Sequence, residues 1–312
     1  MLGIAINHNY YNLNLSNYEK IKIEKNYSYS GSGKINGRKV YLKGNLKGLR
    51  EGEVIYANGN FNKDIKKDRG TIGEYEIKKY KLDKNNIFTR LSNIKTKFKD
   101  KLTENIGIRK ASLVTSIVFG RDNSLDNEDK EYMSRFGVIH ALSVSGLHVG
   151  IIFLIFKKLL NEKISLLITF MYVMMTGIAF SSLRAFIMLL FSNLGFMLRR
   201  RYNPIGGIAI SIIIIFLLSP YCIFNIGFLL SFSSTIGILL YSKKIKRKLY
   251  KIPEFLLDTI SICLAAQIFT FPLLIIYFNE FSIGFIVGNI ILIPIINLIL
   301  IIGVINILMI GF

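Results

Sequence analysis

Residues 164–180 read ISLLITFMYVMMTGIAF, seventeen residues without one charged side chain. A run this long and this apolar cannot be the half-buried helix of a soluble domain; its natural solvent is hydrocarbon. ISIIIIFLL at 210–218 repeats the signal. From residue 137 onward Ile, Leu, Phe and Gly dominate, whereas the first hundred residues are polar and rich in lysine. The chain therefore divides into a soluble front and a multi-span membrane part. Spans are predicted at 138–156, 164–180, 183–198, 205–219, 222–241, 255–278 and 281–312, the last as two half-length pieces.

The links between spans alternate. KKLLNEK, RRRY and KKIKRKLYK are basic, whereas SSL, SPY and NEF carry no positive charge. If every span crosses, the basic links share one face, and the positive-inside rule makes that face cytoplasmic. The soluble front then lies outside the cytoplasmic membrane. A basic domain of that size needs a leader to cross. MLGIAI is too short to span and lacks the basic start and cleavage site of a signal peptide. Residues 1–17 are thus an apolar start or the remnant of a leading helix.

Between Tyr18 and Asn86 the pattern has period two. YEKIKIEKN, GRKVYLKGNL, GEVIYANGNF and GEYEIKKYKL alternate charged with apolar residues and are punctuated by Gly and Asn. About five short strands in 70 residues suit a small antiparallel barrel, with the OB-fold as candidate over 18–90. A basic linker with interfacial or amphipathic helices follows over 91–136. There ASLVTSIVFG suits an interface, and the Asp and Asn cluster of DNSLDNEDKEYMSRFG can cap a helix running to Arg135. Residues 137–312 form the transmembrane domain. The fold class is mixed: an antiparallel β-barrel followed by a polytopic helical domain.

The net charge of +20 invites a nucleic-acid reading. Lys outnumbers Arg more than twofold amid abundant Asn and Ile, a bias that accounts for much of that charge as ordinary solvated surface. With three histidines and two cysteines, zinc-finger spacing and a two-metal histidine cluster are both excluded. No cofactor is expected.

Three sets of polar residues sit where lipid is expected. In HALSVSGLHVG, His140 and His148 fall eight apart, on one side if the segment is a single helix, with Ser145 and His148 as i,i+3 neighbours. Ser143 and Gly146 complete the set. Four roles are open: small-residue helix packing, a polar path lining, a Ser–His hydrolytic pair, or a zinc site on two histidines. Arg184 either snorkels at the interface or lines a path for an anion. In FIVGNIILIPIINL, Asn289, Pro294 and Asn297 interrupt an apolar run, as broken helices at transport sites do.

These segments resemble the ComEC competence-protein family, the inner-membrane channels for DNA uptake in natural transformation. FGVIHALSVSGLHVG looks like the family's His and Ser-Gly-Leu-His signature, and TGIAFSSLRAFIMLL like its Gly…Arg-Ala…Met segment. SPYCIFNIGFLLSFSSTIGIL and TFPLLIIYFNEFSIGFIVGNIILIPIINL are similar to its later spans. The likeness runs from about Ser112 onward, and LREGEVIYANGNF with GEYEIKKY fits the family's OB domain. Leu229 departs from the family's usual Gln, and the chain lacks the metal motif of the metallo-β-lactamase-like nuclease domain of many members. A short or truncated member is expected.

The resemblance implies a channel rather than an enzyme, taking single-stranded DNA across the cytoplasmic membrane. Binding falls to His140, Ser143, Ser145, Gly146, His148, Arg184, Asn289, Pro294 and Asn297. The implied partners are single-stranded DNA, the lipid bilayer, other competence proteins (a DNA receptor, a helicase motor, a separate nuclease) and further copies of the chain. The alternatives are an intramembrane Ser/His hydrolase and a non-conducting remnant that presents an OB domain.

Overall fold

A computed structural model describes residues 10–11, 15–66, 70–120, 125–142, 144–199, 202–279, 282 and 284–311. It resolves into two compact units. One holds residues 1–96 with 212–225, the other 97–211 with 226–312.

The first unit is a closed five-stranded barrel of β1 (Tyr18–Asn26), β2 (Ser30–Ile35), β3 (Arg38–Gly44), β4 (Val54–Asn62) and β5 (Thr71–Leu82), in the order β1-β2-β3-β5-β4. Alternation turns Ile21, Ile23, Val40, Leu42, Ile55, Ala57, Tyr75 and Ile77 inward, where all are buried. The Tyr75 hydroxyl donates to the Asn17 carbonyl at 2.8 Å, so the polar tip of this large core side chain is satisfied. Asn36 and Gly37, both at positive φ, form the two-residue turn joining β2 to β3. The order is that of the expected OB-fold, but the sheet is not wholly antiparallel. β4 returns to pair with β1, which leaves β5 beside β3 and parallel to it.

β2 is the strand the period-two reading does not name. Its inward positions are Gly31, Gly33 and Ile35. A Cβ at Gly31 would stand 2.4 Å from the Lys25 carbonyl oxygen, and one at Gly33 within 2.9 Å of Ile21 and Leu42 side-chain atoms. The barrel closes too tightly there for side chains, so the strand carries almost no apolar signal.

The helices are α1 (Ile87–Ile106), α2 (Ile108–Phe119), α3 (Asn127–Arg135), α4 (Gly146–Leu159), α5 (Glu162–Met175), α6 (Phe180–Met197), α7 (Pro204–Leu218), α8 (Ile226–Lys248), α9 (Glu254–Phe278) and α10 (Phe285–Gly311). Asp126 caps α3 as expected, its side chain accepting from the Glu128 amide. The core of the second unit joins Ile117, Val118 and Phe119 of α2 to Ile152, Phe156, Tyr172, Ile296 and Leu300. The Tyr172 hydroxyl donates to the Val118 carbonyl at 2.7 Å. α2, expected at an interface, is thus built into the middle of the helical unit.

Among the described residues, four helices are long and apolar enough to cross a membrane: Phe180–Met197, Ile226–Lys248, Leu256–Phe278 and Phe285–Ile307. Three expected spans are shorter: α4 and α5 have 14 residues each and α7 has 15, about 21–23 Å at 1.5 Å per residue, against a hydrocarbon core of about 30 Å. The predicted 138–156 helix begins only at Gly146, because Ile139–Leu142 is a 3-10 turn and Ser145 is extended at φ −95° and ψ 172°. The final span is one continuous helix, not two halves. Pro294 lies exposed inside α10, where the ring costs one backbone hydrogen bond without breaking the helix.

Candidate functional site

The polar cluster forms around the start of α4. Ser145 is its N-cap and His148 its third residue. The Ser145 backbone N–H donates to His148 Nδ1 at 3.4 Å, and Ser145 Oγ lies 2.9 Å from the same nitrogen. With Nδ1 accepting, the proton of a neutral ring belongs on Nε2, an assignment made from the hydrogen-bond network. Nε2 is buried, makes no direct hydrogen bond and has the Ile117 backbone as its polar neighbour. A Ser–His contact of this kind closes a helix end, as capping boxes do. Among the described residues no carboxylate hydrogen-bonds the ring, the third contact that a hydrolytic pair uses.

α6 packs against this turn. Ser181 Oγ donates to the Val144 carbonyl at 2.7 Å. One helical turn further on, Arg184 is only 8 % exposed. A Cβ at Gly146 would lie 3.2 Å from Arg184 Nη2 and 3.3 Å from the Ala185 Cβ, so the glycine is what lets the guanidinium reach the α4 terminus. On its other side the Arg184 Cζ lies 5.7 Å from the Phe232 ring centroid of α8. Phe228 packs on Phe232 at 4.5 Å and on Phe180 at 6.0 Å. Arg184 does not snorkel: it is enclosed by protein, and its Nε has no hydrogen-bond partner.

Ser145, Gly146, His148 and Arg184 are therefore brought together, with His140 near enough to His148 to act on it electrostatically. His140 sits on the 3-10 turn with Nδ1 3.1 Å from the Gly137 carbonyl oxygen, so the two histidines do not share a helix. Ser143 lies outside the described residues. Asn289 Nδ2 donates within its own helix to the Phe285 carbonyl at 2.6 Å. The Asn297 Oδ1 is buried without a partner. Among the described residues, no hydrogen bond or ion pair joins Asn289 or Asn297 to the Arg184 cluster. Pro294 is exposed. Phe232 and Ser181 escaped the sequence reading, because nothing local distinguishes them from other apolar and small residues of spanning helices.

A second basic surface lies on the barrel. Lys20 pairs with Tyr56 in the β1–β4 register, and Tyr56 with Lys81 in β4–β5; Asn58 sits between Tyr18 and Lys79 in the same way. Register partners share a face, so Tyr18, Lys20, Tyr56, Lys79 and Lys81 form one outward patch. Tyr18 stacks on Tyr56 with ring centroids 6.1 Å apart and planes 8° from parallel. Lys20 Nζ stands 5.1 Å from the Tyr56 centroid and pairs with Asp83 at 2.8 Å. Lysines interleaved with aromatic faces suit a single-stranded nucleic acid. On β1, Lys22 Nζ lies 3.4 Å from the Phe88 centroid, and burial, reinforced by Lys34, pushes its ammonium down to about 8.

Comparison with known proteins places these features in context. The family described as "Competence protein" matches residues 117–312. ComE operon protein 3 of Bacillus subtilis (strain 168) is 31% identical over 191 residues, which cover 58% of this chain and 24% of that protein. An uncharacterized protein of Aquifex aeolicus (strain VF5) is 27% identical over 226 residues, 67% of this chain and 51% of that protein. The aligned regions thus span a quarter to a half of these relatives' length. No solved structure matches.

Proposed function

The chain belongs to the competence protein family, and on that premise we propose that it forms part of a DNA-uptake channel in the cytoplasmic membrane, passing a single strand along a path that includes Arg184. The observation carrying this reading is the guanidinium enclosed among apolar helices, without a counter-ion among the described residues. A fixed cation there is costly and marks a functional position. A strand presents one phosphate per nucleotide, which a guanidinium recognises through its planar fork, and the adjacent phenyl rings offer bases a stacking surface.

The barrel faces outward in this reading. RRRY and KKIKRKLYK flank α7 and α8, and the uncharged link SPY lies between those helices. With α7 and α8 both crossing, SPY is on the face opposite the basic links. Tyr221 of that link packs on the barrel unit: its ring lies 5.7 Å from that of Tyr10, and a Cβ at Gly70 would meet it at 2.3 Å. This contact supports the extracytoplasmic position. The barrel's Tyr and Lys patch then meets incoming DNA first, without sequence preference. With two or three cations engaged, its affinity should fall with salt at a log–log slope of about −2. Titrating a mixed-sequence oligonucleotide onto the 18–90 fragment measures this, and salt-independent binding contradicts it. The same reading implies a DNA receptor, a motor and a nuclease as partners.

The central test is transformation frequency per inserted protein, in a host whose homologous region carries this sequence. Arg184→Ala should lose most uptake, and Arg184→Lys should retain part, keeping the charge but not the fork. Wild-type frequency in the Ala variant, with the protein inserted normally, removes Arg184 from the path.

A further inference from the structure

Arg184 is enclosed by three elements that cannot neutralise it. Gly146 begins α4, Phe232 belongs to α8, and Arg184 itself stands in the second turn of α6. None of these helices contains an Asp or Glu. Among the described residues every ion pair lies elsewhere, on the barrel, between α2 and α3, within α3, or at the basic links. Arg184 takes part in none of the hydrogen bonds, and its Nε is buried and unpartnered.

The surroundings make the charge less comfortable still. The first amides of a helix have no intrahelical acceptor, and their end of the helix is electropositive. The Ser145 N–H is taken by His148 Nδ1, and among the described residues the Gly146 and Leu147 amides of the first turn meet no acceptor. An electropositive helix end and a guanidinium therefore meet at Gly146, and among the described residues no carboxylate pairs with either. The approach stays open: Leu147 is 47 % exposed and Gly146 partly so. Its geometry depends on two small residues, Gly146 and Ala185, whose contact leaves room for the guanidinium edge.

We propose that Arg184 and the Gly146 and Leu147 amides form a discrete site for one phosphodiester group, the guanidinium taking two oxygens from one side and the helix end completing the cradle. Helix N-termini and guanidinium forks are each suited to phosphate oxygens, and here they converge. The identity of the ligand as a phosphate of the passing strand rests on the uptake reading above. A site built on a single cation holds one phosphate and releases it to the next, which meets the requirement that a conducting site bind without trapping.

The test uses the full chain in phosphatidylcholine nanodiscs with inorganic phosphate as probe, in a gluconate buffer of constant ionic strength. Broadening of the phosphate ³¹P resonance should saturate. It should vanish in Arg184→Met and weaken by about tenfold or more in Gly146→Val, which keeps the guanidinium but fills its approach. Lys163→Met, on an exposed basic link, should change nothing. Absence of saturable broadening in the wild type, or its persistence in both site variants, overturns the site. If Arg184→Met fails to insert, Gly146→Val alone decides. A short single-stranded oligonucleotide should displace phosphate, and phosphatidylglycerol added to the nanodiscs should not; the reverse assigns the site to a lipid headgroup and overturns the strand. Phosphate binding by a protein inactive in uptake sinks the transport reading alone, whereas normal uptake without phosphate binding sinks the site alone.

Discussion

Single residues in this chain carry costs that only their surroundings explain. Lys22 projects from β1 onto the Phe88 ring, and its folded ammonium titrates near 8 because it is buried. Unfolded, a lysine keeps its proton to about 10.4. Between those values the unfolded chain binds more protons, so folding stability must rise with pH. The barrel fragment should melt at a higher temperature at pH 10 than at pH 8. Lys22→Met should remove that rise and raise the melting temperature at pH 7; an unchanged pH profile in the variant rejects the assignment. The residue scale is also where the sequence was least legible. Arg184 and Gly146 each stood out as polar or small residues in an apolar run, yet their contact joins positions 38 apart and depends on a hydrogen atom in place of a methyl group. His140 and His148 show the converse. Their spacing suggests one helix face, but an extended Ser145 separates them, and backbone conformation at a cap is not written in spacing.

Elements were read well wherever side chains announced them. Four of the five strands follow from alternation, and the four long spans from their length and lack of charge. β2 was hidden because its inward residues are mostly glycines, and the extent of α4 and α5 because apolar residues continue past their ends. Close helix approach is the other device legible only in space. A Cβ at Gly288 of α10 would lie 2.1 Å from the Phe136 carbonyl oxygen, and one at Gly303 would lie 2.5 Å from a Val118 methyl carbon. Backbone cannot step aside as a methyl can. Gly288→Ala should therefore sit at the upper end of the roughly 1–3 kcal/mol typical of overpacking, and Gly303→Ala near the lower end. Thermal unfolding in nanodiscs ranks the two, and equal losses contradict the assignment of Phe136 as the rigid neighbour.

At the scale of the whole chain, the proposed orientation rests on the alternation of basic and uncharged links. A cysteine at Asn58 should react with a membrane-impermeant maleimide in intact cells, and one at Lys163 only after permeabilisation, in a background with Cys222 and Cys263 replaced. The opposite pattern inverts the topology and removes the barrel from the path of incoming DNA. The Tyr221 contact has a further consequence, in time rather than space. Its ring fills the hollow over Gly70 and flanks Tyr10, yet it lies about 150 residues later in the chain. At synthesis rates of 5–20 residues per second, the ribosome delivers it roughly 8–30 s after the barrel's own strands have emerged. Through that interval the newborn barrel carries an uncovered aromatic ledge, so a translation pause before residue 219 prolongs the stage at which a protease or chaperone can reach it.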